Sequence, residues 1–411
     1  MVVNVYRVVL AASLAVVFGC GDTAPESSLP GEVVRSSMRR RAPSEELGDV
    51  RALARNDADF AFELLRELPS DENLFFAPHS ISTALAMTYA GAAGSTAREM
   101  REALHFAQEP EVLHQAFNTL DQLLASRGEG QPDTDGEPFR LSVVDGLFAQ
   151  RGFPLRDRYL DDLARWYGAE VALLDFAADP ESARGAINAW AAEATEGRVE
   201  ELLSARAVGP STGFVAVDAL TFRAAWKHRF SERATMDRPF TRLDGSTVSV
   251  PTMWGESAVG FAEGAGWRAT RIPYVGDAVS LLAVVPDDLA AFEEELDAER
   301  IEHIAGQVER GFVYVALPRF AIRSRLELED ALRGLGMREA FDDADFSSLS
   351  SDERLALGGV VHEAFVRVDE EGTEAVGATA STGTSISVSP TLRIDRPFLF
   401  FIRDQETGAV L

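Results

Sequence analysis

The sequence offers few side chains at the spacing that catalysis or metal binding requires. Ser211 lies in the string GPSTG, residues 209–213, which fits the G-x-S-x-G pattern of hydrolases. That pattern needs a strand before it and a helix after it, and here a helix ends before it and a strand follows. The DTDG string at 133–136 has no closing glutamate at EF-hand spacing, and the six histidines are scattered. We therefore predict no enzyme activity, metal or cofactor.

The composition predicts a large folded core and excludes some partners. Of 411 residues, 46% are apolar, which is typical of globular domains. Sixty-six acidic and 39 basic residues give a net charge of -27, which disfavours nucleic acid and anionic lipid surfaces. Lys227 is the only lysine, so a lysine cluster for sulfated polysaccharides is absent. We expect a monomer without a polysaccharide or nucleic-acid partner.

Residues 1–20 predict an export signal. Arg7 precedes an apolar run from Val8 to Phe18, which is shorter than the roughly 20 residues that a membrane helix needs. Cys20 follows Gly19 and resembles the lipid-attachment site of bacterial lipoproteins, although Phe18 stands where a smaller residue is usual; an ordinary cleaved signal is the alternative. We expect an extracellular or cell-envelope protein, with membrane contact only through a lipid at Cys20. As the only cysteine, Cys20 leaves no intramolecular disulfide.

Residues 21–47 predict a flexible tether, and residues 48–411 a single domain. The tether is rich in Pro, Ser, Glu and Arg without apolar periodicity. Its arginines 39–41 predict a solvated patch, and a processing site is the alternative. An amphipathic helix runs from about Leu53 to Pro69. Further helices are predicted at 80–90, 95–105, 157–167 and 181–195, and strands at 141–149, 214–224, 246–253, 267–273, 279–285, 312–323 and 361–369. Early helices and late strands predict an α+β fold with large antiparallel sheets.

Three segments, in colinear order, resemble the serpin family. The first segment, residues 73–100, is NLFFAPHSISTALAMTYAGAAGSTAREM. The second lies between residues 141 and 226 and contains LFAQRGFPL, YGAEVALLDF, INAWAAEATEGRVEELL and VDALTFRAAW. The third is HEAFVRVDEEGTEAVGATA at 362–380, followed by DRPFLFFI. The resemblance implies the serpin fold, with three β-sheets, about nine helices, a metastable native state and an exposed reactive-centre loop at about 372–390.

The family's suicide mechanism requires the cleaved loop to insert as a new strand, so the loop must be able to form one. Residues 372–386 contain no proline and a single charge, at Glu374. Gly372 lacks the Cβ that would restrict the fold-back, and small side chains alternate after it. At about 3.3 Å per residue the segment reaches on the order of 50 Å. The predicted hinge comprises Glu370, Gly372, Thr373, Glu374, Ala375, Val376, Gly377 and Ala378.

The family's usual loop length places the reactive bond between Ile386 and Ser387, fourteen residues beyond Gly372. Bonds after Thr384 or Val388 are the alternatives. An isoleucine before the bond suits an elastase-like or subtilisin-like protease rather than a trypsin-like one. The sequence leaves open inhibition of papain-like cysteine proteases and a non-inhibitory binding or chaperone role.

The resemblance also implies a polar cluster where the central strands part. Its positions here are Ser80, Asp218 and His362, with Ala77 where a serine is more usual. A serine and a carboxylate can satisfy both nitrogens of a buried imidazole. Because Asp218 replaces the family's usual Asn, we predict that opening of the sheet depends on pH.

Three further positions follow from the same resemblance. Trp226 matches a tryptophan at the upper end of this sheet, where insertion begins; simple core packing is the alternative. The family often pairs the carboxylate at Glu370 with a base, but the matching position here is Glu339, so we predict repulsion unless Arg367 or Arg338 compensates. The chain stops at Leu411, about eight residues before the family's usual end, which predicts an incomplete last strand.

Overall fold

The computed structural model describes residues 29–69, 72–127, 140–195, 197–205, 207–351, 356–373 and 390–411. The predictions for residues 1–20, for Cys20, for hinge residues 374–378 and for the Ile386–Ser387 bond lie outside these ranges. The described residues form α-helices α1 Gly48–Glu67, α2 Pro78–Tyr89, α3 Gly94–Ala103, α4 Pro110–Ser126, α5 Asp157–Trp166, α6 Pro180–Ala194, α7 Leu289–Glu294, α8 Ala298–Gln307 and α9 Glu329–Gly334. Short 3₁₀ turns occur at Glu232–Ala234 and Glu339–Phe341.

The described strands form three sheets, so the α+β fold class is confirmed. The strands are β1 Glu32–Val34, β2 Arg140–Gln150, β3 Val171–Leu174, β4 Phe214–Ala225, β5 Met236–Thr241, β6 Thr247–Gly264, β7 Trp267–Pro273, β8 Val279–Pro286, β9 Glu309–Pro318, β10 Phe320–Glu327, β11 Leu357–Val368, β12 Gly372–Thr373, β13 Thr391–Arg393 and β14 Leu399–Asp404.

The first sheet, hereafter the central sheet, has the order β1-β3-β2-β4-β12-β11-β10. Strands β4 and β11 run parallel and pair directly from Val360 opposite Ala216 to Phe365 opposite Thr221. At their upper ends the two-residue strand β12 lies between them, antiparallel to both. The central sheet therefore separates around β12 and is closed below it.

The other two sheets share the long strand β6. Its first half pairs with β5 and its last residues pair with β7, while β9 follows it through two register shifts near Ala258. Strands β8 and β14 extend the β7 side, and β13 pairs with β9. The irregular register lets one strand bend from one sheet into the next.

Helix α2 lies in the main core, beneath the central sheet. All twelve of its residues are buried, and Pro78 occupies its first turn, where the missing N–H costs no helical hydrogen bond. Helix α6 packs through Ile187 and Trp190 into a second core on the other side of the central sheet. The strand residues of this second core, Val215, Val217 and Val361, alternate along their strands with residues of the main core. The period of two along β4 thus places the central sheet between α2 and α6.

The flexible tether predicted for residues 21–47 is wrong from residue 29 onward. Glu32 pairs opposite Leu173 at the edge of the central sheet, because an edge strand offers unpaired backbone groups to another strand. Arg40 Nε donates to Asn118 Oδ1 at 3.0 Å, and the same guanidinium pairs with Asp121. Arg41 lies over the ring of Trp166. The arginine run is therefore not a solvated patch, because two of its side chains bind α4 and α5.

Two predictions of secondary structure also need correction. The single strand predicted at 312–323 is two strands, β9 and β10, which belong to different sheets. The chain leaves the first at Pro318, which has no N–H to continue a ladder. The prediction also missed several elements: helices α4, α7, α8 and α9, and strands β1, β3, β5, β13 and β14. Among the described residues, no helix combines the length and apolar character needed to cross a lipid bilayer.

Candidate functional site

The candidate site begins at the hinge, where the chain turns back from β11 into the central sheet. The N–H of Asp369 donates to the carbonyl of Gly372 at 3.0 Å, which closes the turn. Gly372 then lies opposite Ala225 and Thr373 opposite Ala224. Burial raises the pKa of Asp369, while backbone N–H donors at Glu371 and Gly372 act in the opposite direction. The first two loop residues are therefore already strand residues.

Gly372 fills a space that admits no side chain. A Cβ placed on it would lie 2.1 Å from the carbonyl oxygen of Ala224 and 2.7 Å from the Cα of Ala225. Contacts this short with backbone cannot be relieved by rotating a side chain. The glycine inferred from sequence for its conformational freedom is thus required by a close approach of two backbones.

We predict that Gly372→Ala expels β12 from the central sheet. The displaced backbone should cost about 1–3 kcal/mol of native-state stability, as overpacking does elsewhere. Hydrogen exchange of residues 366–373 and the denaturation midpoint measure the effect. Gly311→Ala, where a Cβ meets nothing within 4 Å, is the matched control and should change neither quantity. Unchanged protection of residues 366–373 in Gly372→Ala would contradict the prediction.

Aromatic side chains hold Thr373 from below. Its side chain is fully buried, and its Oγ1 lies 2.8 Å from the hydroxyl of Tyr274. Tyr274 stacks on Trp226 with ring centroids 4.6 Å apart, and Trp226 Nε1 donates to the carbonyl of Asp369 at 2.8 Å. Burial raises the pKa of Tyr274, so its hydroxyl stays protonated and can donate. Trp226 therefore bonds the turn directly, in addition to packing in the core.

Glu370 is paired, so the predicted repulsion with Glu339 is wrong. Arg319 Nε lies 3.3 Å from Glu370 Oε2, and Thr235 Oγ1 donates to Glu370 Oε1 at 2.5 Å. Glu339 lies instead in a 3₁₀ turn beside α3, where its N–H donates to Glu99. The partner is Arg319 because it stands just before β10, next to β11 in the central sheet. Arg367, proposed as a compensating base, pairs with Asp369.

The structure brings Ser80, Asp218 and His362 together beneath the closed part of the central sheet. Asp218 and His362 are direct neighbours in the parallel ladder of β4 and β11, and the helix α2 places Ser80 below them. One carboxylate oxygen of Asp218 accepts from Ser80 Oγ, and the other contacts His362 Nδ1. All three residues are at most 2% exposed.

The hydrogen bond at the second ring nitrogen of His362 shows which of its two nitrogens carries the proton. The backbone N–H of Ala77 donates to His362 Nε2 at 3.1 Å, so that nitrogen accepts and the proton lies on Nδ1. If both ring nitrogens carried a proton, the N–H at Nε2 would face the backbone N–H of Ala77. Ala77, which stands where the family usually has a serine, thus contributes through its backbone.

The register of β12 shows where an inserted loop would lie. Each loop residue beyond Thr373 moves one position back along β4, so residue 379 would face Asp218 and residue 383 would reach Phe214. Counted against β11 from Thr373 opposite Val368, residue 379 also faces His362. Full insertion therefore requires the contact between Asp218 and His362 to break.

Sequence reasoning missed three partners of the hinge: Tyr274, Thr235 and Arg319. Each lies far from residue 370 in the chain and reaches it through strand pairing or loop packing. The described residues contain no group of three His, Cys, Asp or Glu side chains that could hold a metal ion. The site thus defines a class of protein in which the start of a loop is held as a strand between two parallel strands that pair directly below it.

The comparisons with known proteins agree with this class. The family model described as "Serpin (serine protease inhibitor)" matches residues 55–411. A serpin-like protein of Thermococcus kodakarensis is 37% identical, covering 86% of this chain and 82% of that protein. Serpin B8 of Homo sapiens is 35% identical (85% and 94% covered), and human leukocyte elastase inhibitor 33% (86% and 95%).

Solved structures show the same fold. Uncleaved ovalbumin matches with a TM-score of 0.78 and 26% identity, covering 87% of this chain and 97% of that chain. The thermophilic serpin tengpin, in the native state, matches with a TM-score of 0.81 at 24% identity (92% and 97% covered). The chain belongs to the serpin family. Members of this family include protease inhibitors and are generally not enzymes.

Proposed function

We propose that this chain is a suicide inhibitor of serine-type endopeptidases that traps its target as an acyl-enzyme. One observation carries the proposal: two loop residues already lie between β4 and β11, while the same strands pair directly below them. This is the geometry of a loop at the start of insertion into a sheet that has not opened. The resemblance to inhibitors in the family supports it.

Insertion is favoured by hydrogen bonding. The parallel pair of β4 and β11 becomes two antiparallel pairs, which are slightly more stable per residue, and one whole strand gains ladder partners. Inward positions beyond Thr373 would be Ala375, Gly377, Thr379 and Ser381. These small side chains fit over α2 and the core, while Glu374 would face outward.

The chemistry uses the protease's own mechanism. The hydroxyl oxygen of the protease serine attacks the carbonyl carbon of Ile386, and the bond to the nitrogen of Ser387 breaks. The serine proton passes through the protease's base to that nitrogen, which leaves as an amine. Insertion of residues 373–386 then moves the ester on the order of 40 Å before water can hydrolyse it. The protease remains attached through Ile386.

The proposed target class follows from the residue before the bond. Isoleucine fits a small or medium apolar pocket, so we assign an elastase-like or subtilisin-like protease. The similarity to leukocyte elastase inhibitor is consistent with the first of these. We further propose that the chain acts as an exported monomer, anchored, if at all, through a lipid on Cys20.

Incubation of the purified protein with an elastase-like and a subtilisin-like protease tests this function. We expect a denaturant-resistant complex on gels and a released C-terminal fragment that begins at Ser387 by mass. Cleaved inhibitor should unfold on the order of 20 °C higher, because residues 373–383 gain strand pairing. Rapid cleavage without a complex would indicate a non-inhibitory serpin, and a complex with papain alone would assign the cysteine-protease alternative.

A further inference from the structure

An exposed face beside the reactive loop combines stacked aromatic rings with arginines. Trp254 of β6 and Tyr314 of β9 stack with centroids 5.8 Å apart and an interplanar angle of 14°. The Arg238 guanidinium carbon of β5 lies 5.3 Å from the Trp254 ring centroid. Arg393 of β13 is exposed on the same side, because Thr391 and Arg393 pair opposite Tyr314 and Ala316. We call Arg238, Trp254, Tyr314 and Arg393 the cationic face.

The segment that contains Arg238, residues 227–242, has a net charge opposite in sign to that of the whole chain. The net charge is -27, yet residues 227–242 hold five basic and two acidic side chains. Among the described residues, neither Arg238 nor Arg393 forms an ion pair, and the buried Nε of Arg238 has no hydrogen-bond partner. An exposed arginine head group without an ion pair gains from a carboxylate partner, because charge-assisted bonds to arginine are strong and directional.

Apolar exposure concentrates in the same place. Tyr314 is 36% exposed, and Met236 and Leu243, on β5 and on the turn after it, are 55% and 65% exposed. Aromatic residues, methionine and arginine are the types enriched where proteins bind each other. The composition therefore favours a protein partner with acidic groups.

The position of the cationic face identifies that partner. The N–H of Tyr314 donates to the carbonyl of Pro390 at 3.0 Å, so the chain after the reactive loop rejoins the body at the backbone of this residue. From Ser387 to Pro390 the chain covers three residues, roughly 10 Å when extended. A protein interface of ordinary size involves about 20–30 residues on each side, so a protease bound at residues 386–387 extends over this face.

We propose that the cationic face is a second contact surface for the target protease. It would bind an acidic strip on the rim of the cleft that holds the residues after the reactive bond. This inference rests on the proposed function. To the preference for a target with a small or medium apolar pocket it adds a preference for a target with an acidic surface beside that pocket. Arg238 and Arg393 at the rim set the association rate and its salt dependence, and Trp254 and Tyr314 supply the apolar contact.

The test uses a subtilisin-like protease whose nucleophilic serine is replaced by alanine. A second version of this protease, the acidic version, carries two additional carboxylates on that rim. At low salt we expect the intact inhibitor to bind the acidic version about tenfold more tightly, with a steeper salt dependence of association. The variant R238E/R393E should lose this gain. Arg158→Glu, at a side chain 94% exposed on α5, is the control and should keep it.

The outcomes separate this inference from the function on which it rests. The inactive protease forms no acyl-enzyme, so its binding measures docking alone, whereas trapping by active protease measures inhibition. An R238E/R393E variant that retains the tenfold gain overturns the cationic face as a docking surface. A second result would also overturn the proposal: the protein is retained on dextran sulfate, R238E/R393E abolishes this retention, and protease binding is unchanged. The cationic face would then be a polyanion site.

Discussion

We expect the substitution Thr373→Arg to convert the proposed inhibitor into a substrate. Thr373 is fully buried and its hydroxyl contacts Tyr274, so a longer cation there has neither space nor a counter-charge. The protease would still attack the loop, because the reactive bond is thirteen residues away. Insertion would start from a position that cannot enter the central sheet.

The size of the effect follows from competition between insertion and hydrolysis of the acyl-enzyme. Burying an unpaired charge costs several kcal/mol, and about 3 kcal/mol on the insertion barrier slows it roughly 100-fold. Hydrolysis would then win, and turnover of the loop would replace trapping. We expect the ratio of loop turnover to trapping, and with it the stoichiometry of inhibition, to rise; the ratio itself should increase by about two orders of magnitude.

Titration of protease activity, together with gels of the covalent complex, measures this change. Glu374→Arg is the matched control, since continuing the register of β12 on insertion would turn residue 374 to the outer side of the sheet. It introduces the same side chain one residue later and should retain most of the complex. Equal loss of complex in both variants would show that charge near the hinge matters, and not the inward position of Thr373.

Removal of the His362 side chain is expected to destabilise the uncleaved protein far more than the cleaved one. In the uncleaved form, His362→Ala leaves the Asp218 carboxylate and the Ala77 N–H buried without this partner. Leaving buried hydrogen-bonding groups without a partner costs about 1–3 kcal/mol for each group, and more for a charged one. In the cleaved form, residue 379 would already separate Asp218 from His362, so less remains to be lost.

Denaturation of both forms, with and without the substitution, measures the difference. Asp218→Asn is the conservative control, because an amide can still accept from His362 Nδ1 and bond Ser80. It should change stability by less than about 1 kcal/mol and restore the residue type usual in the family. If His362→Ala lowers the stability of both forms equally, His362 is a core residue without a role in opening the sheet.

Local patterns in the sequence determined the elements around the site. Alternation and β-branched side chains predicted β7 at 267–273 and β8 at 279–285, almost at their observed bounds. Gly372 and the small residues after it predicted a hinge and a chain able to form a strand. The strand predictions succeed because side-chain size and periodicity act over a few neighbouring residues, while the strand-forming ability of the loop beyond Thr373 stays a prediction.

The tertiary structure alone decided which distant residues meet. Arg319 binds Glu370 because β10 lies beside β11, and Tyr274 lies under Thr373 because Trp226 bridges two sheets. The docking of residues 29–47 depended on an open strand edge that no local pattern reveals. Contacts of this kind are set by the order of strands in a sheet, which is a property of the whole fold. The sequence therefore predicted a loop able to become a strand, and the fold determined where its first two residues pair and which distant residues hold them.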